Sequence, residues 1–347
     1  MICAGRKGGK MIKIVIDCFG GDDSPKANIE GSIDALNKFK DLELILVGDE
    51  QKIRDELAKQ QFSSERISIV HAPDVIGCNE RPTEAVRKKK DSSLMTGIRL
   101  LREDDTLAGL VSIGSTGAIV AAATLRIGRV PGVARPTLCP LLPTMKEGKI
   151  VGICDSGATV DCTATQLYQF AIMGSLYMEK VFGVKSPRVA LLNVGVEEEK
   201  GDELRKEVYQ MLKNEPRINF VGNMEGRELL RGDVDLVVCD GFSGNVMCKT
   251  VEGTAIEMFR MIKKDILSSL KFKIGALFLK KMFAKEKAFL DYQNYGGSVL
   301  LGASKVIVKG HGSSKRVAFA KCIEQAYMME TGNLNPELEK IFSENKA

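Results

Sequence analysis

Residues 234–255 carry the densest chemistry in the sequence. The apolar run Leu236 to Cys239 reads as a buried strand; it stops at Asp240-Gly241, passes through Phe242-Ser243-Gly244-Asn245 and enters a helical pattern near Val246. Glycines in such a loop let the backbone approach a ligand closely, and the N–H groups point at whatever sits over the helix start. A strand, a glycine loop and a helix in that order suit a phosphate or a carboxylate. The same order recurs at Asp17-Cys18-Phe19-Gly20-Gly21-Asp22-Asp23, Gly114-Ser115-Thr116-Gly117, Asp155-Ser156-Gly157, Asn193-Val194-Gly195 and Lys309-Gly310-His311-Gly312. One such turn is ordinary, but the set of six favours a phosphate or phosphate-ester site.

The side chains in these turns leave several roles open. Lys200, in Glu199-Lys200-Gly201, reads either as a solvated charge or as a point charge for an anion. His311, between two glycines, has little to pack against and is either a site residue or part of a surface loop. Asp17, Asp22 and Asp23 are cation ligands or ordinary turn formers. Cys18, Cys239 and Cys248 sit in apolar surroundings and read as core thiols. No GxGxxG, GxxxxGK[ST] or G-x-S-x-G stretch occurs, so dinucleotide, Walker-type and serine-hydrolase sites lose their usual support.

The elements that must hold these turns alternate along nearly the whole length. Ile12 to Ile16, Leu42 to Val47, Ile67 to Val70, Leu107 to Ile113, Ile150 to Cys154, Val189 to Leu192 and Val306 to Val308 are β-branched or apolar runs, with helix-spaced segments between them. The expectation is an α/β fold: a doubly wound, largely parallel sheet with helices on both faces. Ligands in such folds sit outside the carboxyl ends of the strands, where Asp17, Asp155, Asn193, Asp240, Asn245 and His311 should gather. Residues 1–10 read as a loose extension, 11–332 as one α/β domain and 333–347 as a tail.

Composition narrows the function. The 347 residues are 44% hydrophobic and 27% charged, with a net charge of +5 and no tryptophan, which gives no support for nucleic acid. Nine cysteines without a CxxC pair suit reduced thiols in the cytosol, and two histidines exclude a histidine-rich metal site. No apolar run reaches the ~20 residues that span a bilayer. Residues 266–292 differ from the rest: Lys271, Lys273, Lys280, Lys281, Lys285 and Lys287 interleave with Phe272, Phe278, Met282 and Phe283, and Gly275 is the expected break between two helices. Such a segment lies on an anionic membrane surface or an acidic partner, or packs on its own core with a wet lysine face.

Taken in order, the pieces resemble the phosphate acyltransferase family often called PlsX. They are Asp17-Cys18-Phe19-Gly20-Gly21-Asp22, Ser112 to Ala118, Arg135-Pro136, Leu191 to Gly195 with Glu197 and Lys200-Gly201, and Phe220 to Gly226. Then come Asp240 to Asn245 with Lys249 and Glu252-Gly253, Tyr295-Gly296-Gly297 with Leu300-Leu301-Gly302, and His311-Gly312-Ser313. Cys18-Phe19, Ser115 and Thr159 stand where the family usually has Ala-Met, Asn and Asn. The resemblance implies a fold similar to phosphotransacetylases and a homodimeric enzyme without a cofactor. It would turn acyl carrier protein thioesters and inorganic phosphate into acyl phosphate for phospholipid synthesis, in the cytoplasm at the inner face of the membrane.

On that reading Lys200 pairs with phosphate, Asn245 donates to the oxyanion, and His311 protonates the thiolate or binds phosphate. Gly20, Gly21, Gly114, Ser115, Thr116, Gly117, Gly241 and Gly244 shape the substrate loops with Asp17, Asp22, Asp155, Asn193 and Asp240. Lys271, Lys273, Lys280, Lys281, Phe278 and Phe283 meet membrane or carrier protein. Competing readings are a coenzyme A-dependent phosphotransacetylase, a silent membrane-docked scaffold, and an NAD-dependent decarboxylating dehydrogenase.

Overall fold

The computed structural model describes residues 11–62, 64–290 and 295–344. The extension 1–10 therefore lies outside the described residues, as does the end of the 266–292 segment. The β-branched runs form strands where their periodicity places them: β1 (Ile12–Asp17), β2 (Leu42–Gly48), β3 (Ile67–His71) and β4 (Leu107–Ser112). Further on are β5 (Thr137–Cys139), β6 (Leu141–Pro143), β7 (Ile150–Cys154), β8 (Arg188–Asn193), β9 (Asn219–Glu225), β10 (Leu236–Val238), β11 (Ser298–Leu301) and β12 (Val306–Lys309). Between them run α1 (Lys26–Lys38), α2 (Glu50–Leu57), α3 (Pro82–Lys88), α4 (Ser93–Glu103), α5 (Thr116–Ala122), α6 (Ala164–Phe182), α7 (Glu203–Lys213), α8 (Gly241–Leu267), α9 (Leu270–Leu290), α10 (Arg316–Thr331) and α11 (Leu334–Glu344).

The α/β class holds, but the strands divide between two sheets rather than one. The first has the order β3-β2-β1-β4-β12-β11-β5 and the second β6-β7-β10-β8-β9. Pairing is parallel except at β11, against both its neighbours, and at β6. The apolar stretch Thr137 to Leu142 is the hinge of the architecture. Its first half pairs with β11 and its second half with β7, with Pro140 between. Proline has no N–H to give to a ladder, so a sheet is readily interrupted there. The two sheets consequently meet at β5–β6, and their carboxyl ends face a shared cleft.

Helix α6 fastens the sheets together. Thr163 and Gln166 form a reciprocal cap at its start and Gly183 closes it in a left-handed turn. Its buried side, Leu167, Phe170, Ala171, Gly174 and Tyr177, joins a core shared with Ile14 and Leu44 of the first sheet and Val189 and Leu236 of the second. The expected tail is corrected as well: Leu334–Glu344 is helical, and Leu334, Leu338 and Phe342 are buried in that core. Their four-residue spacing is the ordinary stripe of a helix that covers a core.

Helices α8 and α9 behave differently. Of the 27 residues of α8 only Gly241, Gly244 and Cys248 are buried, all in its first turns. The remainder extends away with α9 alongside, a helix that would be ~40 Å long at 1.5 Å per residue. The two helices meet at Ser268-Ser269, not at Gly275, which lies within α9 with open space around it.

Candidate active site

Three loops of the first sheet meet at its carboxyl edge. The Asp22 N–H donates to the Gly312 carbonyl at 2.9 Å, and a side chain on Gly20 would put its Cβ 2.6 Å from the Gly114 nitrogen. Only glycine permits that approach. Beneath them Asp17, almost fully buried, accepts from Ser112 Oγ at 2.6 Å, while its carbonyl takes the Asn28 amide at 2.9 Å. Burial pushes the Asp17 carboxyl up, and the Ser112 hydrogen bond acts against that shift.

The second sheet is tied just as closely. Asp155, fully buried, accepts from the N–H groups of Leu138 (2.7 Å), Ser156 (2.7 Å) and Thr159 (2.6 Å) and from Thr137 Oγ1 (3.2 Å). The Thr159 carbonyl then accepts from Gly241 N–H at 2.8 Å. Thr159 thus acts through its backbone N–H and carbonyl. Asp240 caps α8 by accepting from Ser243 N–H at 2.8 Å and also pairs with Arg205. A Cβ on Gly244 would stand 1.9 Å from the Asp155 carbonyl oxygen, so α8 can start here only with glycine at that position.

Between the two sheets lies a cavity of about 250 Å³, lined by Thr116, Gly117, Ser156, Gly157, Asn245, Cys248, Lys249, Glu252, Gly297, Lys309 and His311 among others. That is below the roughly 300–1,000 Å³ usual for a drug-sized ligand, so it takes the reacting ends of substrates rather than a whole acyl chain. A larger cavity of about 580 Å³ lies under Ile12, Leu107 and Val306, at the opposite, amino edge of the first sheet, away from every glycine loop. Gly297 is fixed from behind: its N–H donates to Gln325 Oε1 at 2.8 Å, and Gln325 is buried against Tyr177.

The electrostatics of the cleft are cationic. Burial lowers the pKa of Lys309, and the nearby Lys249 ammonium lowers it further. Burial, Lys309 and Lys249 likewise hold His311 below the usual imidazole range. The ring's Nδ1 meets Ser313 twice, at 3.2 Å from its N–H and 2.8 Å from its hydroxyl. Cys248 also lines the cavity, but burial pushes its thiol up to about 12, and Cys18 and Cys239 are raised too. These are protonated core thiols at neutral pH, as the apolar surroundings predict.

The structure brings Thr116, Gly117, Asn245 and His311 to one cavity. Among the described residues the Asn245 amide has no hydrogen-bond partner, and it lies where a Cβ on Gly157 would come within 2.8 Å. Gly20, Gly21, Asp22, Gly114 and Ser115 pack behind the lining, and Asp17, Asp155, Asp240, Gly241 and Gly244 hold the loops together. Asn193 and Lys200 are not in the lining. Asn193 Nδ2 donates to the Lys200 carbonyl at 3.0 Å, and both sit beyond β8, which β10 separates from β7. At about 4.8 Å per strand that is roughly 10 Å along the edge. Lys309 and Lys249 belong to the motifs quoted from the sequence but carry no assigned role there, although one adjoins Gly310-His311 and the other lies one turn after Asn245.

Comparisons agree with this architecture. Residues 12–336 match the family described as "Fatty acid synthesis protein". A "Phosphate acyltransferase" from Clostridium tetani is 43% identical over 93% of this chain and 96% of its own length. One from Clostridium acetobutylicum is 45% identical over 95% and 99%, and one from Bacillus cereus 44% over 95% and 98%. In fold the chain is similar to a phosphotransacetylase from Streptococcus pyogenes, with a TM-score of 0.61, 18% identity and 92% and 94% of the two chains covered. A branched-chain phosphotransacylase from Enterococcus faecalis gives a TM-score of 0.58 at 15% identity, with 92% and 99% covered. With this level of identity over nearly the entire length, the chain belongs to the phosphate acyltransferase family.

Proposed function

We propose that the protein moves a long-chain acyl group from acyl carrier protein to inorganic phosphate, giving acyl phosphate for phospholipid synthesis. The observation that carries this reading is the cleft itself. It joins cationic groups and an unpartnered amide with no activated nucleophile, which suits a reaction whose nucleophile is phosphate. A phosphate oxygen attacks the thioester carbonyl carbon, and the carbonyl electrons move onto oxygen. Asn245 donates to that oxyanion. Collapse re-forms the carbonyl and breaks the C–S bond, the electron pair leaving on sulfur. A ring N–H of neutral His311 hydrogen-bonds to the departing thiolate, which then takes its proton from solvent. Lys200, on the rim loop after β8, assists the anion from outside the lining. The main contribution is positioning, which turns an encounter of two substrates into a near-unimolecular step. No cofactor is needed.

Phosphate-dependent thiol release from acyl carrier protein thioester, with the product trapped by hydroxylamine as the hydroxamate, is the expected result. Coenzyme A thioester should turn over far more slowly. Release from coenzyme A alone would turn the reading to a phosphotransacetylase, and liposome binding without any thiol release would leave only the scaffold.

The hairpin of α8 and α9 supports a peripheral membrane contact at the cytoplasmic face. Leu270 is 73% and Phe278 86% exposed, with Phe272 and Leu277 also outside and the lysines around them. Patches of this kind mark interaction surfaces, and among the described residues no helix is long and apolar enough to cross a membrane. Replacing Leu277 and Phe278 by serine should reduce binding to vesicles of anionic lipid at least fivefold while thiol release in solution stays within twofold. Unchanged vesicle binding would assign the hairpin to the carrier protein or to the second subunit of a homodimer.

A further inference from the structure

We propose that Lys309 is the residue that grips the attacking phosphate, with Lys249 as its second cation, in the cleft beside Asn245 and His311. The inference deepens the phosphorolysis reading and rests on it for the identity of the anion. Lys309 is the last residue of β12, which is held in register by β4 on one side and β11 on the other. Its ammonium is therefore placed by a rigid strand rather than by a loop.

Among the described residues that ammonium has no carboxylate within ion-pair distance and no hydrogen bond, although it lines a cavity between two sheets. The charge that acts on it most strongly is another ammonium, Lys249, whose own carboxylate is Glu252 at 2.6 Å. The nearby imidazole is also held toward its neutral form. A half-buried cation facing a second cation, with Glu252 as the one nearby carboxylate and that already paired with Lys249, is an arrangement that costs stability in the empty protein. A doubly charged, acceptor-rich ligand removes that cost, and orthophosphate is such a ligand. Lys249 can turn from Glu252 toward it, since both partners share the first turns of α8 that border the cavity. The hydroxyl of Thr116 stands in the same lining as a further donor, whereas Ser156 Oγ donates to the Leu138 carbonyl at 3.3 Å. Such strain, held in the empty state and relieved by the substrate, is characteristic of sites built for function.

A phosphate ester in the prosthetic arm of the carrier protein offers the same chemistry, so the test separates the two sources. In the full-length protein, Lys309→Met should raise KM for inorganic phosphate at least tenfold and leave KM for the carrier thioester within twofold. Lys309→Arg should recover part of the loss, and Lys249→Met should raise the same KM about threefold. Without thioester, inorganic phosphate should raise the melting temperature of the wild type and not that of K309M. The ligand-free variant should melt no lower than the wild type, because an uncompensated charge has gone, whereas a merely structural lysine would lower it. An unchanged KM for phosphate overturns the proposal, as does a rise in the thioester KM alone, which would assign the lysine to the carrier's phosphate. Should K309M not fold, Lys309→Gln carries the same comparison. If the wild type binds phosphate through Lys309 but releases no thiol, phosphorolysis fails while the anion site stands; if thiol is released and K309M keeps its KM, only the anion site fails.

Discussion

Replacing Asn245 by alanine should lower kcat for acyl transfer by about two to three orders of magnitude while the protein remains folded. Asn245 is exposed in the second turn of α8, and its amide has no partner among the described residues. Nothing in the fold depends on it, so the melting temperature should move by less than a degree or two. In the cleft it is held against Gly157 beside His311 and Lys309. A donor aimed where negative charge develops acts mainly on the transition state, and loss of one such donor costs roughly 3–4 kcal/mol. Because the ground-state carbonyl gains little from it, kcat and kcat/KM should fall together. Asn245→Asp should be worse than alanine, since it sets a carboxylate beside both phosphate and oxyanion. A kcat within threefold of the wild type for Asn245→Ala would remove the amide from the reaction.

The strands and the glycine exits were legible in the sequence because each is local. Ile12 to Ile16 is β-branched throughout, and Asp240 to Asn245 breaks the apolar period abruptly. The division into two sheets was not, because β5 and β6 are three residues each and their partners, β11 and β7, lie elsewhere in the chain. Pro140 marks the break only when both pairings are known. The last helix was legible in principle: Leu334, Leu338 and Phe342 have helical spacing, but a short segment at a terminus is ordinarily frayed. Gly275 was misread because glycine weakens a helix without ending it when nothing requires a turn. Lys309 was missed for a related reason. A lysine at a strand end is normally solvated, and this one meets Lys249 and Glu252 of α8, which are remote in sequence.

The acidic residues of the turns have a different place from that expected of ligands. Asp17, Asp155 and Asp240 each spend their oxygens on serine hydroxyls, backbone N–H groups or Arg205. Those three carboxylates are spent on the loops, while Glu252 and Asp22 are the acidic groups that remain near His311. Sequence identifies such residues as belonging to the site edge, and the hydrogen bonds decide that they hold the loops while the lysines, the asparagine and the histidine face the cavity.

Asp155→Ala should therefore be the most destabilising single change at the cleft, and it should lower activity from a distance. The carboxylate connects the sheets: Leu138 belongs to the first through β5, and Asp155 directly follows β7 of the second. Alanine leaves the N–H groups of Leu138 and Thr159 facing a gap, while Ser156 N–H keeps the Leu138 carbonyl at 3.1 Å, and an unsatisfied buried donor costs about 1–3 kcal/mol. The total, roughly 2–6 kcal/mol, is a large share of the 5–15 kcal/mol typical of a folded protein. With an unfolding entropy of about 2.1 cal/mol/K per residue, the melting temperature should fall roughly 3–8 °C. Loosening of residues 155–159 also frees the Thr159 carbonyl that holds Gly241, so α8 and Asn245 shift with it. Asn at this position keeps one acceptor oxygen for Leu138 and Ser156 but opposes Thr159 N–H with a second donor. It should lie between alanine and the wild type in both stability and kcat. A melting temperature for Asp155→Ala within a degree of the wild type would mean that the sheets are joined by core packing alone, and the carboxylate would have to be assigned to the substrate.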